Sequence, residues 1–183
     1  LLGRYSEAMN HFTEGASQAV THGDFKTDMR CRLGIARLNL SMGKPSDAVR
    51  MIQAVLTESS ERNLTSVELL ACHYMAICKS EMGLEFGSIA RQSLHLAQSS
   101  ETTTHCRALA FFTNVIHLID EDRFSEARPY LHQALAMAES ISDIELIILG
   151  TFYSFGMAAH SDEDPSGWLA KATAARNLAE QHG

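Results

Sequence analysis

The chain has 183 residues, of which 15 are Lys or Arg and 22 Asp or Glu, for a formal net charge of −7; hydrophobic residues make up 45% and charged residues 20%. That balance is globular and excludes a disordered chain, while 3 prolines and 11 glycines are too few for the turns of an all-β fold. No apolar run approaches the ~20 residues that cross a bilayer, Leu1-Leu2-Gly3-Arg4 lacks the basic start and apolar stretch of a secretory signal, and the acidic balance disfavours nonspecific hold on nucleic acid. A soluble, intracellular, helical protein with neither membrane nor nucleic-acid partners is expected.

In chain order, Leu1-Leu2-Gly3-Arg4-Tyr5 reads as the end of one helix and the turn after it. A helix over 6–21 follows, with Ala8, Phe12, Ala16 and Ala19 on one face. A more apolar helix covers Asp28–Met42. Gly43-Lys44-Pro45 stops it and opens the next, with Pro45 at the first helical position and Ala48, Ile52 and Val55 as its stripe. Ser66–Met82 is again more apolar and ends at Gly83, a C′ glycine. A helix through Ser88 and Ala90 leads to Thr104–Asp120. The acidic triplet Asp120-Glu121-Asp122 marks a turn, then Ser125 fits an N-cap and Pro129 falls in the first turn or just beyond. Ala127, Leu131, Ala134 and Ala138 form the stripe of that helix. Ile144–His160 is the last strongly apolar helix. A second acidic turn, Asp162-Glu163-Asp164, precedes a helix through Arg176 and Leu178, with Asp164 as N-cap and Pro165 after it.

The elements repeat. A turn, a Ser and a small residue two places on recur at Ser6/Ala8, Ser46/Ala48, Ser88/Ala90 and Ser125/Ala127, with Ser166/Trp168 as a weaker fifth copy. Twelve residues before the last four markers stand Ala36, Cys78, Val115 and Gly156, and two small positions let paired helices approach closely. Units of this length with two helices each are the mark of a helical solenoid, and the small-residue spacing resembles the tetratricopeptide (TPR) pattern. The expected fold is therefore all-α, an α-α superhelix of antiparallel helix pairs. Residues 1–183 form one segment of about four and a half pairs, cut from a longer array or completed by a partner chain.

Chemistry-bearing motifs are absent. Cys31, Cys72, Cys78 and Cys106 are scattered with no CxxC, and no two of the nine histidines stand four apart. No phosphate-binding glycine loop or nucleophile elbow occurs. Asn63-Leu64-Thr65 is a sequon expected to arise by chance. No enzyme activity, metal or cofactor is expected.

The first helix of each pair lines the concave face of such a solenoid. Its inward positions are Arg30, Leu33, Arg37 and Leu40, then Cys72, Met75, Lys79 and Met82, then Leu109, Phe112, Ile116 and Ile119, and lastly Gly150, Tyr153, Met157 and His160. From these, Arg30, Arg37, Met75, Lys79, Phe112, Ile116, Tyr153 and Met157 are the candidate partner-binding residues, in a groove basic toward its start and apolar toward its end. One reading is a channel for an extended or helical protein segment; the other is that the apolar residues pack against neighbouring helices and the basic ones are merely solvated.

Some stretches are more particular. His105-Cys106-Arg107-Ala108-Leu109-Ala110-Phe111-Phe112, the run Arg123 to Leu131, and Ile148-Leu149-Gly150 with Phe152-Tyr153 and Gly156 resemble repeats of the TPR subunit of the cohesin loader, the Mau-2 family, as does Leu1 to Ala8. The resemblance implies a non-catalytic nuclear subunit that embraces an extended segment of a large HEAT-repeat partner and helps load cohesin onto chromosomes. The alternative is the effector-sensing helical-repeat domain of a bacterial MalT-type transcription regulator, which would be cytoplasmic.

Overall fold

A computed structural model describes residues 2–100 and 102–160, together with residues 170, 173, 174, 176, 177 and 180. Among the described residues there are eight helices and no strand: α1 (Leu2–His22), α2 (Phe25–Ser41), α3 (Pro45–Glu61), α4 (Thr65–Glu81), α5 (Gly87–Ala97), α6 (Thr104–Asp120), α7 (Phe124–Ser140) and α8 (Ile144–Ala158). The all-α class is that expected from the sequence. The chain divides into two compact units, Leu1–Ile89 and Ala90–Gly183, with the division inside α5. In the first unit α1, α2, α3 and α4 each pack on their neighbour in sequence, and α2 also touches α4; in the second, α6, α7 and α8 do the same, and α6 also touches α8. The fifth copy of the repeat, with Asp162-Glu163-Asp164, Pro165 and Trp168, lies outside the described residues.

One turn is used six times. At Gly23, Gly43, Asn63, Gly83, Asp122 and Ser142 the backbone has φ between 53° and 73°, the left-handed conformation that ends a helix. In each, that residue's N–H bonds the carbonyl three back and the next residue's N–H bonds the carbonyl five back, as in Gly43 N–H to Leu40 O at 2.9 Å and Lys44 N–H to Asn39 O at 2.9 Å. These are Schellman motifs, and they satisfy carbonyls that the helix end leaves orphaned. In five of the six the following residue is already the N-cap of the next helix: Asp24, Lys44, Leu64, Arg123 and Asp143. A connection of two or three residues of this kind reverses the chain directly, which is why consecutive helices pair. Asp24 and Asp143 also cap with their side chains, accepting from Thr27 N–H at 3.0 Å and Leu146 N–H at 3.1 Å. Pro45 opens α3 as its spacing predicts.

A left-handed residue with a Cβ is strained, by roughly 1–2 kcal/mol. Ser142→Gly is therefore expected to raise stability by about 0.5–1 kcal/mol, and Gly43→Ala to lower it by about 1 kcal/mol, in urea unfolding. An unchanged midpoint for both variants would show that these turns do not set stability.

The structure corrects three expectations. Leu2 through Tyr5 belong to the first turns of α1 rather than to a preceding helix and turn. Ser125 lies inside α7, whose N-cap is Arg123, so Pro129 is a helix-interior proline that leaves the Ser125 carbonyl without its amide donor. The repeat register also shifts. Helices α2, α4, α6 and α8 start at residues 25, 65, 104 and 144, so the counterpart of Ala36 is Ala76, not Cys78, then Val115 and Phe155. The discrepancy arises because the connection before α5, residues 82–86, is longer than those before α3, α4, α7 and α8. It holds Phe86, 2% exposed, as a plug. Position nine of these helices holds Leu33, His73, Phe112 and Phe152, and position twelve holds the Ala36 series. Both are buried in α2, α4 and α6 and open in α8.

The marker residues do what their size suggests. Ala48, Ile52 and Val55 of α3 are fully buried, as are Ala127, Ala134 and Ala138 of α7. Close approach goes further where glycine allows it. The Phe12 ring of α1 lies 2.6 Å from where a Cβ on Gly34 of α2 would sit, and Leu135 and Phe112 crowd the equivalent space at Gly150 of α8. Gly156, expected at a helix crossing, is instead exposed.

Candidate partner-binding face

The eight candidate residues separate into two groups. Met75, Phe112, Ile116 and Met157 are between 0% and 3% exposed, so no partner reaches them in this conformation, and for these four the packing alternative replaces the groove. The physical reason is that alternate helices touch one another within each unit, α2 with α4 and α6 with α8. Positions that face one side of a single helix pair are thereby covered by a helix of the adjoining pair, before or after it in the chain. Phe112 is covered by Gly150 and by Tyr153, whose ring centroid stands 6.3 Å away. Leu33, Cys72, Leu109 and Gly150, also placed inward by the sequence, are buried in the same way.

Arg30, Arg37, Lys79 and Tyr153 keep solvent access. Arg30 and Arg37 are exposed on α2, seven residues apart and so on one side of the helix. The Arg37 guanidinium sits 6.0 Å from the ring centroid of Tyr74 on α4, within the range of a cation–π contact. That contact ties the basic side of α2 to the adjoining side of α4. Lys79, half-buried near the end of α4, donates from Nζ to the Glu85 carbonyl at 3.1 Å, which anchors the loop 83–86. Tyr153 is half-buried in the second unit, between Phe112 and Phe152.

The other arginine of α2 has a structural role that sequence spacing did not reveal. Arg32 Nη1 lies 2.7 Å from Glu58 of α3 and 3.4 Å from Asp28 on its own helix, and Glu58 also meets Arg62 at 3.2 Å. The hydrogen bond from Arg32 holds the Glu58 carboxyl below its ordinary pKa. Arg62 in turn covers the exposed Phe25 ring at 3.7 Å. Arg32 is thus half-buried between acids, whereas Arg30, Arg37 and Arg62 are exposed.

The acidic turn at 120–122 is matched locally. Arg123 lies 2.7 Å from both Glu121 and Glu126, and its hydrogen bonds lower both carboxyl pKa values. Burial pushes the Cys72 thiol up to about 12 and the Cys78 thiol up to about 11, which keeps both as neutral thiols near neutral pH. Among the described residues no group of three or more His, Cys, Asp or Glu is placed to hold a metal ion, and no helix is long and apolar enough to cross a membrane.

No protein-family model matches the chain, and no curated protein matches it in sequence. What the fold defines is an all-helical protein of consecutive helix hairpins, consistent with a helical-repeat architecture.

Proposed function

We propose that the protein is a non-catalytic scaffold of superhelical TPR-like repeats that binds a protein segment bearing acidic residues along the side shared by α2 and α4. One observation supports this above the rest. Arg30 and Arg37 stand exposed on one side of α2, with Arg37 held over Tyr74 of α4, in a chain whose net charge is −7. Basic charge concentrated on one side of an acidic molecule steers an acidic segment to that side and sets its register. In the more specific form of the reading, the chain is a cohesin-loader TPR subunit in the nucleus and the segment belongs to a large HEAT-repeat partner; the support for that form is the sequence resemblance alone.

Affinity capture with the wild-type chain and with the Arg37→Glu/Lys79→Glu double variant tests the reading. A protein recovered by the wild type and weakened about ten- to a hundredfold by the variant at low salt is the expected result. Recovery of a small molecule only, or of a partner indifferent to charge reversal, would point to the effector-sensing alternative or to another face.

A further inference from the structure

The side shared by α2 and α4 carries two stripes of different chemistry. Lys26, Arg30 and Arg37 are exposed on α2, and intervals of four and seven residues set them on one side of the helix. The nearby acids are engaged elsewhere: Asp24 caps the helix through Thr27, and Asp28 is buried against Arg32. Among the described residues no ion pair uses Lys26 or Arg30. On α4, Leu70, Tyr74 and Ile77 are half-buried and stand at i, i+4 and i+7, again one side of a helix. The two helices touch, and the Arg37 guanidinium near the Tyr74 ring sets the cationic stripe beside the apolar one.

Cations alone suit any acidic segment. A cationic stripe flanked by an apolar one suits a segment whose acids run along one flank of an apolar ridge. The intervals decide its conformation. Lys26 to Arg30 covers about 6 Å of helix axis and Arg30 to Arg37 about 10 Å. Same-face residues of an extended strand recur every ~7 Å, which fits the first interval and not the second. A helix keeps residues four and seven apart on one side, so it reproduces the spacing of both stripes along its whole length.

We propose, building on the basic-face function above, that the bound segment is an amphipathic α-helix of a partner protein, with its apolar ridge on Leu70, Tyr74 and Ile77 and an acidic flank on Lys26, Arg30 and Arg37. Fluorescence anisotropy tests it on the whole chain, with a labelled alanine-based peptide of about eighteen residues that carries leucines at i, i+4 and i+7 and glutamates along one flank. The patterned peptide is expected to bind about tenfold tighter than one of the same composition with leucines and glutamates distributed around the helix. Lys26→Glu/Arg30→Glu is expected to weaken it about tenfold at low salt and much less at high salt, and Leu70→Ser about threefold at either. Arg50→Glu, the same charge change at an exposed residue of α3, is expected to leave it unchanged. Lys26 and Arg30 are exposed, and unchanged helical circular dichroism confirms that each variant folds. Equal binding of the two peptides overturns the helix; if Lys26→Glu/Arg30→Glu then weakens both, the basic-face function stands without it. Binding of neither peptide also overturns the proposal, as does a loss in Arg50→Glu equal to that in the double variant. Patterned binding that Leu70→Ser weakens and charge reversal at Lys26 and Arg30 does not overturns the acidic flank, and the basic-face function with it.

Discussion

Phe112→Ala is expected to destabilise the second unit by about 3–5 kcal/mol, while Phe152→Ala, the same change at the same helix position, is expected to stay within about 0.5 kcal/mol of wild type. The residue type and the sequence register are identical; only the surroundings differ. Phe112 is fully buried, with Gly150 and Tyr153 of α8 against it, so truncation removes apolar transfer energy and leaves a cavity that rigid helix packing closes poorly. Phe152 is 64% exposed and loses little beyond partial cover by Tyr153. Urea unfolding measures both. Equal losses would mean that the α6–α8 contact does not exist in solution.

Asn114→Asp is expected to cost about 3–5 kcal/mol at neutral pH, although it changes one atom. Asn114 is 6% exposed in α6. Its Nδ2 donates to the Ala90 carbonyl at 3.2 Å and the Ala110 carbonyl at 3.0 Å, with Ser93 Oγ at 3.5 Å. A carboxylate there has no proton to give and faces two carbonyl oxygens in a dry interior. Its folded-state pKa is raised above the unfolded value of ~3.9, so between the two values the folded state binds the extra proton. The penalty is absent well below pH ~4 and grows as pH rises toward the raised value. A variant whose unfolding free energy relative to wild type does not fall between about pH 4 and pH 7 would show that the amide is not used as a donor. Asn114→Leu removes the donor without adding charge and separates the loss of hydrogen bonds from the burial of an ion.

The elements themselves were largely legible. Helix stripes such as Ala48, Ile52 and Val55 carry a period that only a helix satisfies, and Gly43, Gly83 and Pro45 mark boundaries because their backbone preferences are local. Asn63, Asp122 and Ser142 were less legible. They adopt the same left-handed turn as the glycines, but their side chains also suit many other positions, and the clue was the regular interval between successive turns. The candidate face was half legible. Arg30 and Arg37 are charged, seven apart and exposed, as amphipathic reasoning requires. Met75, Phe112, Ile116 and Met157 were misplaced because helical periodicity says which residues share a side, not whether another helix covers it.

The sequence by itself determined an all-helical chain of similar helix pairs with short turns, since those properties follow from side-chain periodicity and backbone preference within a few residues. Only the tertiary structure decided that Ala76, rather than Cys78, matches Ala36, that Arg32 is bound to Glu58 while Arg30 and Arg37 are exposed, and that one phenylalanine of a shared register is core while another is surface. Those outcomes depend on loop length and on contacts between residues tens of positions apart, and no local pattern encodes them.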